Sequence, residues 1–132
     1  MRVLITDDSA TIRMILKGLL KQLQITDIKE ATDGRSALDI LEREKFDLLL
    51  LDIHMPVLSG LACLEQVKSR EATAALPVII ISSDTTPAQI EAAEKLGAHA
   101  YIKKPFRIEG LREAIAAVSA PVTPPAPGAV KL

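Results

Sequence analysis

Between Arg2 and about Val118 the chain alternates short apolar runs with longer stretches in which apolar residues recur every three or four positions, and this alternation repeats five times. RVLIT at 2–6 predicts a first strand. In the following SATIRMILKGLLKQL, residues Ile12, Ile15, Leu16, Leu19, Leu20 and Leu23 fall on one helical face, with Ser9 or Asp8 placed to cap it. DIKEA at 27–31 predicts a second strand, and the Asp33-Gly34 turn leads into a helix presenting Ala37, Leu38 and Leu41 to the sheet. FDLLLLD at 46–52 and PVIIIS at 77–82 are apolar on both faces, the pattern of strands in a parallel sheet covered by helices on each side. Pro87 suits the first turn of a helix running to about Leu96, HAYIKK at 99–104 predicts the fifth strand, and Leu111, Ala114, Ile115 and Val118 mark a last helix.

Five such units predict an α/β architecture with an open, doubly wound parallel sheet, because right-handed crossovers place helices on both faces. With 132 residues the chain is too short for an eight-stranded barrel. The pattern divides the chain into one domain at 1–119 and a tail at 120–132. The tail holds four of the eight prolines and has no apolar periodicity, so it is expected to be extended and flexible.

Charge changes the picture by exclusion. Lysine plus arginine number 16 against 17 for aspartate plus glutamate, and a net charge of −1 provides neither a basic field for nucleic acid nor a cationic face for lipid. No apolar run approaches the length that spans a bilayer or forms a signal-peptide core, so the expected location is cytoplasmic. Cys63, the only cysteine, shares helical spacing with Leu61, Leu64 and Val67, which predicts a buried, inert thiol. Function must then reside in a local site.

Open parallel sheets bind ligands outside the carboxyl ends of their strands. Those ends carry Asp7-Asp8, Asp52, Ser82-Ser83 and Lys103-Lys104 followed by Pro105. Each has an ordinary role when taken singly: a helix cap, the start of a turn, a solvated charge. Together they are harder to dismiss, since carboxylates about 4 Å apart repel by about 4 kcal/mol per pair at an effective dielectric of ~20, which calls for a cation. Carboxylate oxygens without histidine or thiolate companions favour Mg²⁺. Mg²⁺ beside an aspartate, with a hydroxyl and a lysine near, is the equipment for phosphoryl transfer to Asp52, with Ser82 and Lys104 assisting.

The segments DDS at 7–9, LDIHMPVLSG at 51–60, PVIIISS at 77–83 and GAHAYIKKPF at 97–106 carry a resemblance to the receiver domains of two-component response regulators, especially the stand-alone chemotaxis type. The resemblance implies a flavodoxin-like fold with strand order 2-1-3-4-5. It implies Asp52 as phosphoacceptor, and Mg²⁺ held by Asp7, Asp8, Asp52 and the backbone carbonyl of His54. It further implies Ser82 as switch hydroxyl, Lys104 as its basic partner, Tyr101 as an aromatic switch, and a cis Lys104-Pro105 bond. The partners implied are a sensor histidine kinase or phosphotransfer protein, and a downstream protein on the face near Tyr101. His54 and Asp84, two residues after Asp52 and Ser82, are expected to overhang the pocket.

Such a module is not an enzyme toward other molecules; it catalyses only its own phosphorylation and dephosphorylation. Two other readings compete. Aspartate-nucleophile phosphatases also work from the end of a parallel strand, but they place a second acid two residues after the nucleophile, where this chain has His54, and no cap domain is available. A nucleotide-binding protein is weaker, since neither the dinucleotide glycine fingerprint nor a P-loop occurs in the sequence. No DNA-binding segment follows residue 119, so direct transcriptional control is not expected.

Overall fold

The computed structural model describes residues 1–55, 57–119 and 130–131. Five strands, β1 (Arg2–Thr6), β2 (Asp27–Ala31), β3 (Leu48–Asp52), β4 (Val78–Ser82) and β5 (Ala100–Lys103), pair in parallel. They alternate with α1 (Ala10–Gln22), α2 (Gly34–Arg43), α3 (Gly60–Ser69), α4 (Pro87–Lys95) and α5 (Ile108–Ser119). The order β2-β1-β3-β4-β5 is the flavodoxin-like arrangement expected, and a short β6 (Val130–Lys131) adds antiparallel to β5. The tail expected to be flexible otherwise lies outside the described residues.

The twofold alternation of a strand sorts the core into two layers. Val3, Ile5, Leu48, Leu50, Ile79, Ile81, Ala100 and Ile102 pack with Leu16 and Leu20 of α1 and with Leu111, Ala114 and Ile115 of α5. Leu4, Leu49, Leu51, Val78, Ile80 and Tyr101 face the opposite way, against Ala37, Leu38 and Leu41 of α2, Cys63, Leu64 and Val67 of α3, and Ala93 of α4. β3 and β4 are buried along their whole length, which is why neither alternates in polarity. β2, at the sheet edge, buries only Ala31 fully.

Two differences from the sequence pattern have simple causes. Ile15 is 44% exposed: on a 3.6-residue helix it sits about 120° from the direction midway between Leu16 and Leu20, beyond the apolar stripe. β3 begins at Leu48 rather than Phe46: the backbone N–H of Arg2 is taken by the Asp47 side-chain carboxylate instead of a strand carbonyl, and Phe46 lies under the Arg2 guanidinium.

The helix starts follow the sequence closely. Ser9 Oγ accepts from Ile12 N at 3.2 Å, Asp33 Oδ1 from Ser36 N at 2.8 Å and Ser59 Oγ from Ala62 N at 3.3 Å, each satisfying a donor the first turn leaves free. Asp8, the other candidate cap of α1, is therefore released for a different use.

Candidate functional site

β1, β3, β4 and β5 all end at the same rim, and the side chains there are set by where each strand stops. Asp7 directly follows β1 and is 2% exposed; Asp52 closes β3 and is 5% exposed; Ser82 closes β4 and is fully buried. Asp8 is exposed beside them. One carboxylate oxygen from each of Asp7, Asp8 and Asp52 lies within 4.8 Å of the others.

Lys104, just after β5, reaches across this group. Its Nζ is 3.0 Å from Asp7 Oδ2 and 3.2 Å from Asp52 Oδ1. The Lys104-Pro105 peptide bond is cis. Asp7 is further anchored by accepting Ser9 N at 2.9 Å on Oδ1, while its backbone carbonyl accepts Arg13 Nη1 at 2.7 Å.

One ammonium cannot neutralise three carboxylates. Burial pushes the Asp52 carboxyl above the ordinary aspartate range, and the Asp7 charge adds to the rise; the nearby Lys104 opposes both without cancelling them. Burial also works against the Lys104 charge, but its hydrogen bond to Asp7 and the charges of Asp52 and Asp7 outweigh that and hold it above the ordinary lysine range. The site is thus a buried, net-negative cluster with its ammonium fixed in the charged form.

The donor set fits a hard divalent cation. Three carboxylate oxygens converge, neither histidine nitrogen nor thiolate is among them, and the two buried acids are pre-positioned by strand ends. A backbone carbonyl is also available. Gly60 N donates to the carbonyl of Ile53 at 2.8 Å, whereas that of His54 takes no hydrogen bond among the described residues. Gly60 allows this turn: a Cβ there would lie 2.1 Å from the Asp52 carbonyl oxygen, so only glycine lets α3 begin so close behind β3. In the same turn Val57 takes a φ of 68°, rare for a β-branched residue.

Ser82 Oγ accepts the backbone N–H of Asp84 at 3.0 Å, and the Asp84 carboxylate accepts Thr86 N at 3.0 Å. The Tyr101 hydroxyl donates to the backbone carbonyl of Asp84, and the ring is fully buried on the α4 side of the sheet. His54 is 60% exposed by side chain, with Nε2 3.8 Å from Asp84 Oδ2 across the mouth. Beside it opens a cleft of about 420 Å³ bounded by Asp8, Ile53, His54, Met55, Ser59, Leu61 and Gln89.

Of the residues the sequence singled out, Asp7, Asp8, Asp52 and Lys104 are brought into one cluster, Ser82 stands at the end of the adjoining strand, and His54 and Asp84 face each other at the mouth. Two features were missed. Asp84 joins Ser82 to Tyr101 through its backbone, which no side-chain pattern announces, and Arg13 secures the Asp7 carbonyl from a helix position that reads as ordinary surface.

Comparisons with known proteins agree with this geometry. Residues 3–116 match the response regulator receiver domain. The chain is similar to the chemotaxis protein CheY of Pseudomonas aeruginosa, 38% identical over 87% of this chain and 93% of the relative. It is 37% identical to CheY-3 of Vibrio cholerae, over 86% of this chain and 87% of that one. Among solved structures, chemotaxis protein CheY4 of Vibrio cholerae superposes with a TM-score of 0.83 at 28% identity, covering 89% of this chain and 97% of that one. A receiver domain of a sensor histidine kinase from Pseudomonas aeruginosa, solved with a magnesium ion coordinated in its active site cleft, shares the fold with a TM-score of 0.81 at 22% identity, over 90% of this chain and 98% of that one.

Proposed function

The chain belongs to the response regulator receiver domain family, and from that premise we propose that Asp52 is the aspartate that accepts the phosphoryl group, with Lys104 and Ser82 assisting. The protein is a phosphoaccepting response regulator of two-component signalling. The donor in this reading is a sensor histidine kinase or a phosphotransfer protein. The receiver unit is residues 1–119, and 120–132 is an appendage to it.

The observation that carries the proposal is the ammonium of Lys104 held 3.0 and 3.2 Å from two buried carboxylates whose charge it cannot fully balance. Asp7, Asp8, Asp52 and the His54 carbonyl would hold Mg²⁺, which supplies charge neutralisation for an incoming phosphoryl group when bound. The chain's own groups do the rest. An oxygen of the Asp52 carboxylate attacks phosphorus in line; the new P–O bond forms as the bond to the donor breaks, and the departing group leaves with the bonding pair. Lys104 stabilises charge on the transferred oxygens, and Ser82 Oγ donates its proton to one of them.

Transmission follows from the hydrogen bonds already in place. Ser82 Oγ accepts from Asp84 N, and Asp84 O accepts from Tyr101. A serine drawn toward a phosphoryl oxygen pulls on the Asp84 N–H, and a shift of Asp84 moves the carbonyl that Tyr101 bonds, changing the seat of Tyr101 and the surface of α4 and β5 around it. The Tyr101 ring is already inward here, so the change we infer is in its hydrogen bond rather than in gross exposure. A downstream protein binding the face near Tyr101 reads that change. Among the described residues no helix is long and apolar enough to cross a membrane.

The test is to incubate the chain with Mg²⁺ and acetyl phosphate and weigh it intact. Wild type gains one phosphoryl mass and loses it with time, omission of Mg²⁺ greatly reduces the gain, and Asp52→Asn abolishes it. Full labelling of Asp52→Asn would refute the assignment.

A further inference from the structure

β5 has a parallel neighbour on one side only, so half of its backbone groups point out of the sheet, and such a row is a template for another strand. Which groups point out can be assigned. Lys104 N donates to Ser82 O at 2.9 Å, in register with the β4–β5 ladder. Because direction alternates along a strand, Ala100, Ile102 and Lys104 address β4 while Tyr101 and Lys103 address the outer edge. On that edge β6 pairs antiparallel, with Lys131 opposite Ala100 and Val130 opposite Tyr101. By the same alternation Tyr101 and Val130 are the pair that exchanges both hydrogen bonds. The ladder ends at Tyr101, leaving the outward groups of Lys103 beyond it.

Length and composition make this contact easy to form and easy to open. The ten-residue connection, 120–129, can span at most about 30 Å, more than the rise of about 13 Å along β5. Its sequence is rich in proline, which lacks the N–H a ladder needs. Two paired residues must also offset the entropy of closing that connection. The segment is therefore held loosely, and it covers only half of a four-residue edge.

We propose that the outer edge of β5 is a strand-addition site for an extended peptide backbone, and that its resident occupant is this chain's own Val130–Lys131. The segment caps the strand that carries Tyr101, so a partner adding a strand to this face must first displace it. That consequence rests on the reading of the Tyr101 face given above; the occupancy of the edge does not.

Amide hydrogen exchange on the full chain tests it, comparing wild type with Val130→Pro, which removes the N–H facing Tyr101, and with Val130→Ala, which keeps it. The Tyr101 amide should exchange about threefold or more faster in Val130→Pro than in wild type, with Ala100 unchanged and Val130→Ala resembling wild type. Equal Tyr101 exchange in all three chains overturns the proposal. Protection that rises with protein concentration assigns the edge to a second copy and overturns it equally. Labelling by acetyl phosphate, followed in the same chains, separates the two readings: should wild type take up no phosphoryl group, the phosphoacceptor assignment fails while the exchange result stands or falls by itself.

Discussion

The two ends of β1 carry clusters built from the same chemistry and turned to opposite purposes. At the start of the strand, Arg2 pairs with Glu44 and lies 3.4 Å from Asp27, and Lys29 Nζ is 2.9 Å from Glu44 Oε2. At its end, Lys104 bridges Asp7 and Asp52. Pairing lowers the Glu44 carboxyl below the ordinary range, through its hydrogen bonds with Lys29 and then Arg2. The same kind of pairing fails to lower Asp52, because burial and the Asp7 charge outweigh the lysine. The difference lies in charge balance and solvent. Two partly to well exposed cations face two such acids at one end, while one cation faces three acids, two of them buried, at the other. An exposed balanced cluster contributes little; a buried unbalanced one is costly to fold and poised to bind positive charge.

The largest expected effect breaks the comparison by removing the cation from each end. Lys104→Met leaves two buried carboxylates facing each other without an ammonium and should lower stability by about 2 kcal/mol in metal-free buffer. Arg2→Met should cost several-fold less, since its partners are solvated. Urea unfolding of both variants measures this, and equal losses would show that burial does not distinguish the clusters.

A smaller effect, opposite in sign at the two ends, comes from removing an acid. Asp52→Asn should stabilise the metal-free chain by about 1 kcal/mol at neutral pH, exchanging function for stability, whereas Glu44→Gln should slightly destabilise it. The pH dependence sharpens the contrast. Asp52 has a raised folded value, so its contribution is fully present below the ordinary aspartate value of 3.8 and is lost as pH rises through the raised value. Glu44 has a lowered one, so its contribution is present above the ordinary 4.5 and is lost as pH falls through the lowered value. As pH rises from the acid range, Asp52→Asn should therefore gain on wild type and Glu44→Gln should fall behind. Unfolding curves at several pH values suffice, and the same sign for both would contradict the assignment.

How much of this was legible beforehand follows the same physics. Strands buried on both faces announce themselves as apolar runs, and a carboxylate ending such a run, as Asp52 does, is visible because nothing in packing explains it. The rim residues Asp7, Asp8, Ser82 and Lys104 were legible for that reason. Backbone-mediated links were not: the Asp84 peptide between Ser82 and Tyr101 leaves no trace in side-chain chemistry. Nor was β6, since a two-residue ladder after a proline-rich stretch shows no alternation to read. Ile15 was misplaced because spacing gives a stripe and not its width.

The central claim is that, of three neighbouring carboxylates, Asp52 is the nucleophile and Asp7 and Asp8 are not. The chain should be labelled with acetyl phosphate and Mg²⁺, then treated at once with borohydride, which reduces an acyl phosphate to the alcohol and releases phosphate; fragment masses then locate the altered residue. The account predicts conversion at Asp52, with Asp7 and Asp8 intact. Conversion at Asp7 or Asp8 in place of Asp52 would contradict it.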